Sequence, residues 1–312
     1  MTSSVDTPLA EGVVARGVAW APGTCGELAQ GELDGTTVMV TCPIDMGSTA
    51  TVEVSDGAGC VDGPANAPKA RRAVALALEF LGHRDLDARL SLEGSLPRAK
   101  GMASSTADVA AAIGATAAAL DTAISARQQA DLALAVEPSD GVMLPGIALF
   151  DHRGGRVARS LGEPPPMRVL ALEFSDEVDT EAFNAVDRRA ELRSHAARFR
   201  DALDLITAGL ANGDAKLVGE GATLSSLANQ AVLPKPQLAA VLDLAQAAGA
   251  VGVNVAHSGT VLGLLFADDA ERISWAAHQA WTRLSDLVAV HDCRVVGGGV
   301  TIGDGSALRR GL

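Results

Sequence analysis

The stretch LPRAKGMASSTADVAAAIGATAAAL, Leu96–Leu120, constrains the fold of this chain more than any other. It reads as the end of a strand, a turn of small residues and an alanine-rich helix. The apolar part of that helix, Val109–Leu120, is flanked by Asp108 and Asp121. It is too short for a bilayer, which needs about 20 residues. The turn Gly101–Thr106 admits two readings. Small residues let the backbone approach a ligand, and free N–H groups at a helix start, with the positive end of its dipole, suit an anion. Ser and Thr hydroxyls there can donate to phosphate or ligate Mg²⁺, and Lys100 stands one residue ahead as a counter-charge. Alternatively, Ser105 and Asp108 form an S-x-x-D capping box, which helices use without any ligand. The turn alone leaves both readings open.

Composition narrows the class. The 312 residues are 48% apolar and 20% charged, with a formal charge of −13. That describes a globular protein with a sizeable core and no general attraction to nucleic acid or anionic lipid. An anionic substrate must then be drawn in by a few local cations or a metal ion. Lysine is scarce, with Lys69, Lys100, Lys216 and Lys235 making the full set. Cys25, Cys42, Cys60 and Cys293 form no C-x-x-C pair, so neither a structural zinc site nor a disulfide framework is expected. The first residues lack a basic region followed by an apolar run, so no secretory signal is read, and a cytoplasmic location is expected.

Strands and helices are mixed in both halves. TTVMVTCPI and STATVEV (Ser48–Val54) are β-rich, and Pro68–Phe80 carries apolar residues at helical spacing. ARLSLEGSL alternates as a strand. Helices follow from Ser105 and across Ser125–Val136, then a hairpin, GIALFDHRGGRVARSL, turns at Gly154-Gly155. Pro164–Pro166 suggest a boundary, dividing residues 1–163 from 167–312. Beyond it come a strand MRVLALEF, a helical region from about Thr180 to Ala248, and two strands joined at His257–Gly259. A helix across Ala270–Val288 and a strand near Arg294–Val296 follow. This pattern predicts an α+β protein of two modules.

Two further segments carry candidate chemistry. AWAPGTCGELAQGEL, Ala19–Leu33, reads as a loop that can bring backbone and Glu27 to a small polar ligand, or as a glycine-rich turn with a surface carboxylate. In LAVEPSDGVMLPG, Pro138 should end a helix and force Glu137 out of helical geometry. Glu137 and Asp140 could then hold Mg²⁺ and accept a hydroxyl proton, or form an ordinary helix stop. No lysine follows a glycine, which excludes a Walker loop, and no G-x-G-x-x-G occurs. HRDL at His83–Leu86 mimics a protein-kinase loop, but neither D-F-G nor A-P-E accompanies it.

The order of these segments, with P-x₃-G-x-x-S-S before a helix and a late HSGTVLGLLF, resembles the GHMP kinase superfamily over nearly the whole chain. TCGELAQG, CPIDMGSTATV and EPSDG look most like the branch that phosphorylates the hydroxyl of L-threonine for the cobalamin side chain. The resemblance implies an N-terminal mixed α/β domain, a C-terminal ferredoxin-like α/β sandwich, and ATP with Mg²⁺ in the cleft between them. Pro97, Lys100, Gly101, Met102, Ala103, Ser104, Ser105 and Thr106 would then surround the nucleotide, with capping box and phosphate cradle as one object. Ser104 or Ser105 would ligate the metal, with Glu137, or touch the β/γ-phosphate. Asp140 is the candidate base or orienting group, and Glu137 the second catalytic carboxylate. Cys25, Gly26 and Glu27 would line the acceptor site, Glu27 facing an ammonium, while Ser258 and Gly259 would close over the phosphates or the substrate. Arg98 is a candidate for the acceptor's carboxylate, and His257 is read as a loop residue. Gln129, where other members place a magnesium glutamate, supplies no charge. The implied partner is a small amino acid or amino alcohol, with no nucleic acid and no membrane, on a monomer or homodimer.

Overall fold

The computed structural model describes residues 12–175, 186, 188–268 and 270–304. Its framework is one 11-stranded sheet. β1 (Ala15–Leu33) and β2 (Thr36–Asp56) form a long hairpin. Asp34 and Gly35, with φ of 49° and 78°, make the tight turn whose backbone matches strand twist. β3 (Val61–Asp62), α1 (Pro68–Phe80) and β4 (Leu86–Gly94) follow, then α2 (Ser104–Ala119) and α3 (Ala126–Val136). β5 (Ile147–Phe150) and β6 (Ala158–Gly162) form the expected hairpin beside β2.

The alanine richness of α2 has a packing cause. A Cβ on Gly17 of β1 would lie 2.1 Å from the Ala115 carbonyl, so strand and helix touch backbone to backbone. Val109, Ala112 and Ile113 are fully buried between that sheet, α1 and α3.

The second half runs β7 (Met167–Phe174), α4 (Arg189–Ser194), α5 (Ala196–Asn212), α6 (Ala215–Asn229), α7 (Leu238–Ala248), β8 (Gly252–Val255), β9 (Leu262–Ala267), α8 (Ile273–Arg283) and β10 (Leu287–Arg294). The strand order β10-β7-β9-β8, antiparallel throughout, is the ferredoxin-like arrangement. Alternate residues of β7 face opposite ways. Val169 and Ala171 join Phe199 and Ile206 of α5, whereas Leu170 and Leu172 join Val241 of α7 and Ala276 of α8. β1 links the halves, pairing Glu27 with Val255, and β11 (Thr301–Ile302) returns to pair with Ala19 and Trp20.

Five expectations change. Ala19–Leu33 is strand, not loop, and the two runs of residues 36–54 are one strand with β-bulge irregularities at Pro22–Ala29 of its partner. The capping box does not form: Ala103 caps α2 in the left-handed region without a side-chain bond, and Asp108 instead accepts from the Ser48 hydroxyl at 2.6 Å. α8 stops at Arg283, because Leu284 is extended and Asp286 turns at φ 61° into β10. The last strands are therefore β10 and β11 rather than one near Arg294–Val296. The start of the helical region expected from Thr180 lies outside the described residues up to 185.

Candidate active site

A cavity of about 550 Å³ opens at the start of α2. The turn leading to it alternates in hand, with positive φ at Ala99 (61°), Gly101 (84°) and Ala103 (55°) but not at the residues between. Such alternation turns successive N–H groups to one side and makes a concavity suited to anions. Gly101 is required by contact as well as by φ, because a Cβ there would lie 2.5 Å from that of Ala256. Thr260 and Val261 both donate backbone N–H to the Lys100 carbonyl at 3.1 Å, and a Cβ on Gly259 would meet that oxygen at 2.2 Å. The loop after β8 is thus clamped onto the turn before α2.

Lys100 does not face the cavity. Its ammonium donates to the Phe174 carbonyl at 3.0 Å and the Ser175 carbonyl at 3.2 Å, where it ties the turn to β7. Pro97 also lies away from the cavity wall, which Gly101–Thr106 do line. Lys69, on the first turn of α1, brings an ammonium to the wall that the sequence reading did not assign.

Pro138 ends α3 as expected, leaving Glu137 extended at φ −161° and ψ 163°. Its carboxylate then reaches back to α2. Ser105 Oγ donates to Glu137 Oε1, and Lys69 Nζ stands 2.7 Å from Oε2. Asp140 opens the next short turn, Gly141–Met143, and also lines the cavity. Burial and the charge of Glu137 push its carboxyl up to about 6. Ser104 lines the cavity without sharing the Glu137 bond. Three hard oxygen groups, from Ser105, Glu137 and Asp140, therefore line one cavity beside a turn whose shape suits an anion.

Met39, His152, His257 and Ser258 also line the cavity. The imidazoles meet edge to face with centroids 5.0 Å apart. Burial lowers His152 to about 4 and His257 well below its ordinary value, so both are neutral at pH 7. Glu27 lies behind this lining and accepts the His257 backbone N–H. Burial, with the charge of Asp140, holds its carboxyl well above the usual range. Lys235, drawn down to about 8 by burial, donates to the Gly259 carbonyl nearby. Cys25 and Gly26 do not reach the cavity. Cys25 is buried among core side chains, its carbonyl held by Asn254. Gly26 packs against the Val255–Ala256 backbone. Arg98 is exposed and paired with Asp108 at 3.3 Å, outside this cavity. Gln129 is buried in α3.

The chain is similar to known proteins in sequence and in fold. The profile of the GHMP kinases N terminal domain matches residues 69–148, and that of GHMP kinases C terminal matches residues 206–282. The L-threonine kinase of Citrobacter freundii is 33% identical over 291 residues, 91% of this chain and 99% of that protein. The L-threonine kinase of Salmonella typhimurium is 35% identical over 248 residues, 80% of this chain and 82% of that protein. Among solved structures, homoserine kinase from Cytophaga hutchinsonii superposes with a TM-score of 0.72 at 18% identity, covering 95% of this chain and all of the other. Mevalonate kinase from L. major, in complex with R-mevalonate, gives 0.67 at 12% identity over 93% and 98%.

Proposed function

The chain belongs to the GHMP kinase family, ATP-dependent kinases acting on an alcohol, and on that premise we propose that it phosphorylates the side-chain hydroxyl of L-threonine. The placement of Ser105, Glu137 and Asp140 around one cavity beside the Gly101–Thr106 turn carries the reading of chemistry. The two L-threonine kinase relatives support the acceptor.

In this reading the turn cradles the phosphates through its N–H groups and the start of α2. The acceptor oxygen attacks the γ-phosphorus, the bond to the β–γ bridging oxygen breaks, and ADP departs. The hydroxyl proton passes to Asp140, whose raised pKa brings it closer to the working pH of a base. Such transfers depend mainly on positioning and charge neutralisation. The donor set fits Mg²⁺, which prefers oxygen, keeps waters, and is held by one or two protein groups plus substrate phosphates. Ser105 and Glu137 would hold it, and it would neutralise phosphate charge. His152, His257 and Ser258 face the acceptor, and Glu27 acts at one remove by fixing the His257 peptide. The product, O-phospho-L-threonine, would then serve the cobalamin side chain, with the reaction in the cytoplasm. Among the described residues no helix is long and apolar enough to cross a membrane.

The test is ADP release with Mg²⁺-ATP against L-threonine, D-threonine, L-serine, L-homoserine and mevalonate. Turnover on L-threonine, lost in Asp140→Ala and Glu137→Ala, is expected. Preference for another alcohol would discard the acceptor and keep the family.

A further inference from the structure

Lys69 occupies a place that helix energetics disfavours. It follows Pro68 in the first turn of α1, where the dipole favours acids over cations, and that turn carries no acid. There its ammonium pairs directly with Glu137, 2.7 Å away, on the cavity wall. Glu137 is itself engaged through both oxygens, Oε1 by the Ser105 hydroxyl and Oε2 by the Lys69 ammonium. The lysine side chain is 41% exposed and the glutamate 13%, so one partner is an arm and the other an anchor. Among the described residues that line the cavity, Lys69 is the one Lys or Arg. Lys100 is committed to the carbonyls of Phe174 and Ser175, and His152 and His257 are neutral. A polyphosphate entering a chain of charge −13 therefore meets Lys69 as the wall's cationic side chain.

We infer that Lys69 is an exchangeable cation: it occupies the Glu137 carboxylate before the nucleotide binds, yields that oxygen to the metal ion, and transfers its ammonium to the phosphates. This rests on the reading of Ser105 and Glu137 as the metal pair. It makes two demands of opposite sign. Without nucleotide, Lys69 competes with the metal, so its removal strengthens metal binding. With nucleotide, Lys69 assists, so its removal weakens ATP binding and turnover.

The experiment measures Mn²⁺ binding to the full chain by the free-Mn²⁺ electron paramagnetic resonance signal, with and without ATP, in wild type, Lys69→Met, Lys69→Arg and Glu137→Gln. Lys69→Met should bind Mn²⁺ about fivefold more tightly without ATP, the factor for a partly exposed ion pair of about 1 kcal/mol. It should also bind Mg²⁺-ATP at least about tenfold more weakly by calorimetry, a charge-assisted contact being worth about 1.5–3 kcal/mol. Lys69→Arg should remain near wild type in Mn²⁺ affinity. Equal or weaker Mn²⁺ binding by Lys69→Met, or unchanged ATP affinity, overturns the exchange. If Glu137→Gln leaves Mn²⁺ binding in the presence of ATP intact, the metal pair itself is wrong and the inference falls with it.

Discussion

Replacing Asp140 by asparagine should stabilise the fold while disabling the enzyme. Burial and the Glu137 charge raise the Asp140 carboxyl from 3.8 to about 6, roughly two units, and one unit is worth about 1.4 kcal/mol. Ionised Asp140 therefore costs the folded state up to about 3 kcal/mol, which water in the open cavity reduces to about 1–2 kcal/mol. The sign follows from linkage. Between about pH 4 and 6 the folded state keeps a proton that the unfolded chain has lost, so stability falls as pH rises through that window. Above it the full cost is present, and below it there is none. Asparagine carries no charge and escapes the cost. Urea unfolding should thus give Asp140→Asn a gain of about 1–2 kcal/mol at pH 8, shrinking toward zero near pH 4. Turnover should fall by about 10²–10⁴ in the same protein. A variant less stable than wild type at pH 8, or a gain that does not change with pH, would refute the reasoning.

In wild type, kcat/KM should decline below about pH 6 as Asp140 takes up its proton; a flat profile down to pH 5 would remove it as the base. Gly259→Ala places a methyl 2.2 Å from the Lys100 carbonyl, so the midpoint of thermal unfolding should drop and KM for ATP rise about tenfold as the clamp loosens. Lys100→Met strips the ammonium from two carbonyls and should cost about 1–3 kcal/mol of stability. Its KM for ATP should change less than about threefold, because a tether lies outside the phosphate site. The opposite pattern would return Lys100 to the nucleotide. Ser105→Ala should lower turnover at limiting Mg²⁺ and recover part of it at high Mg²⁺, whereas a metal-independent loss would separate Ser105 from the metal.

Local signals carried some elements well. α1 spans Pro68–Phe80 as its spacing predicts, and the extended Glu137 follows from Pro138. The β8–β9 turn falls at His257–Gly259 because two apolar runs flank small residues. Ala19–Leu33 misleads because its Pro and Gly resemble loop punctuation. There the glycines answer to neighbours far away in sequence: Leu96 fills the space beside Gly23, and Phe199 that beside Gly31. The Asp34-Gly35 pair was the available sign that a hairpin begins there. Side-chain partners were less legible still. Asp108 has the spacing of a capping residue but is claimed by Ser48, and Lys69 meets Glu137 from another helix. No local spacing encodes either pairing.

β1 has a bearing on how the chain reaches its native form. Its residues are satisfied at Glu27 by Val255 and at Ala19 and Trp20 by Ile302 and Thr301. β1, the first of the described strands, thus waits for residues far later in the chain before its second edge is covered. Contacts of such sequence separation are slow to close and leave strand edges open to foreign pairing meanwhile. A fragment ending near the three prolines would keep that vulnerability permanently, and a nascent chain would carry it until residues beyond 300 emerge.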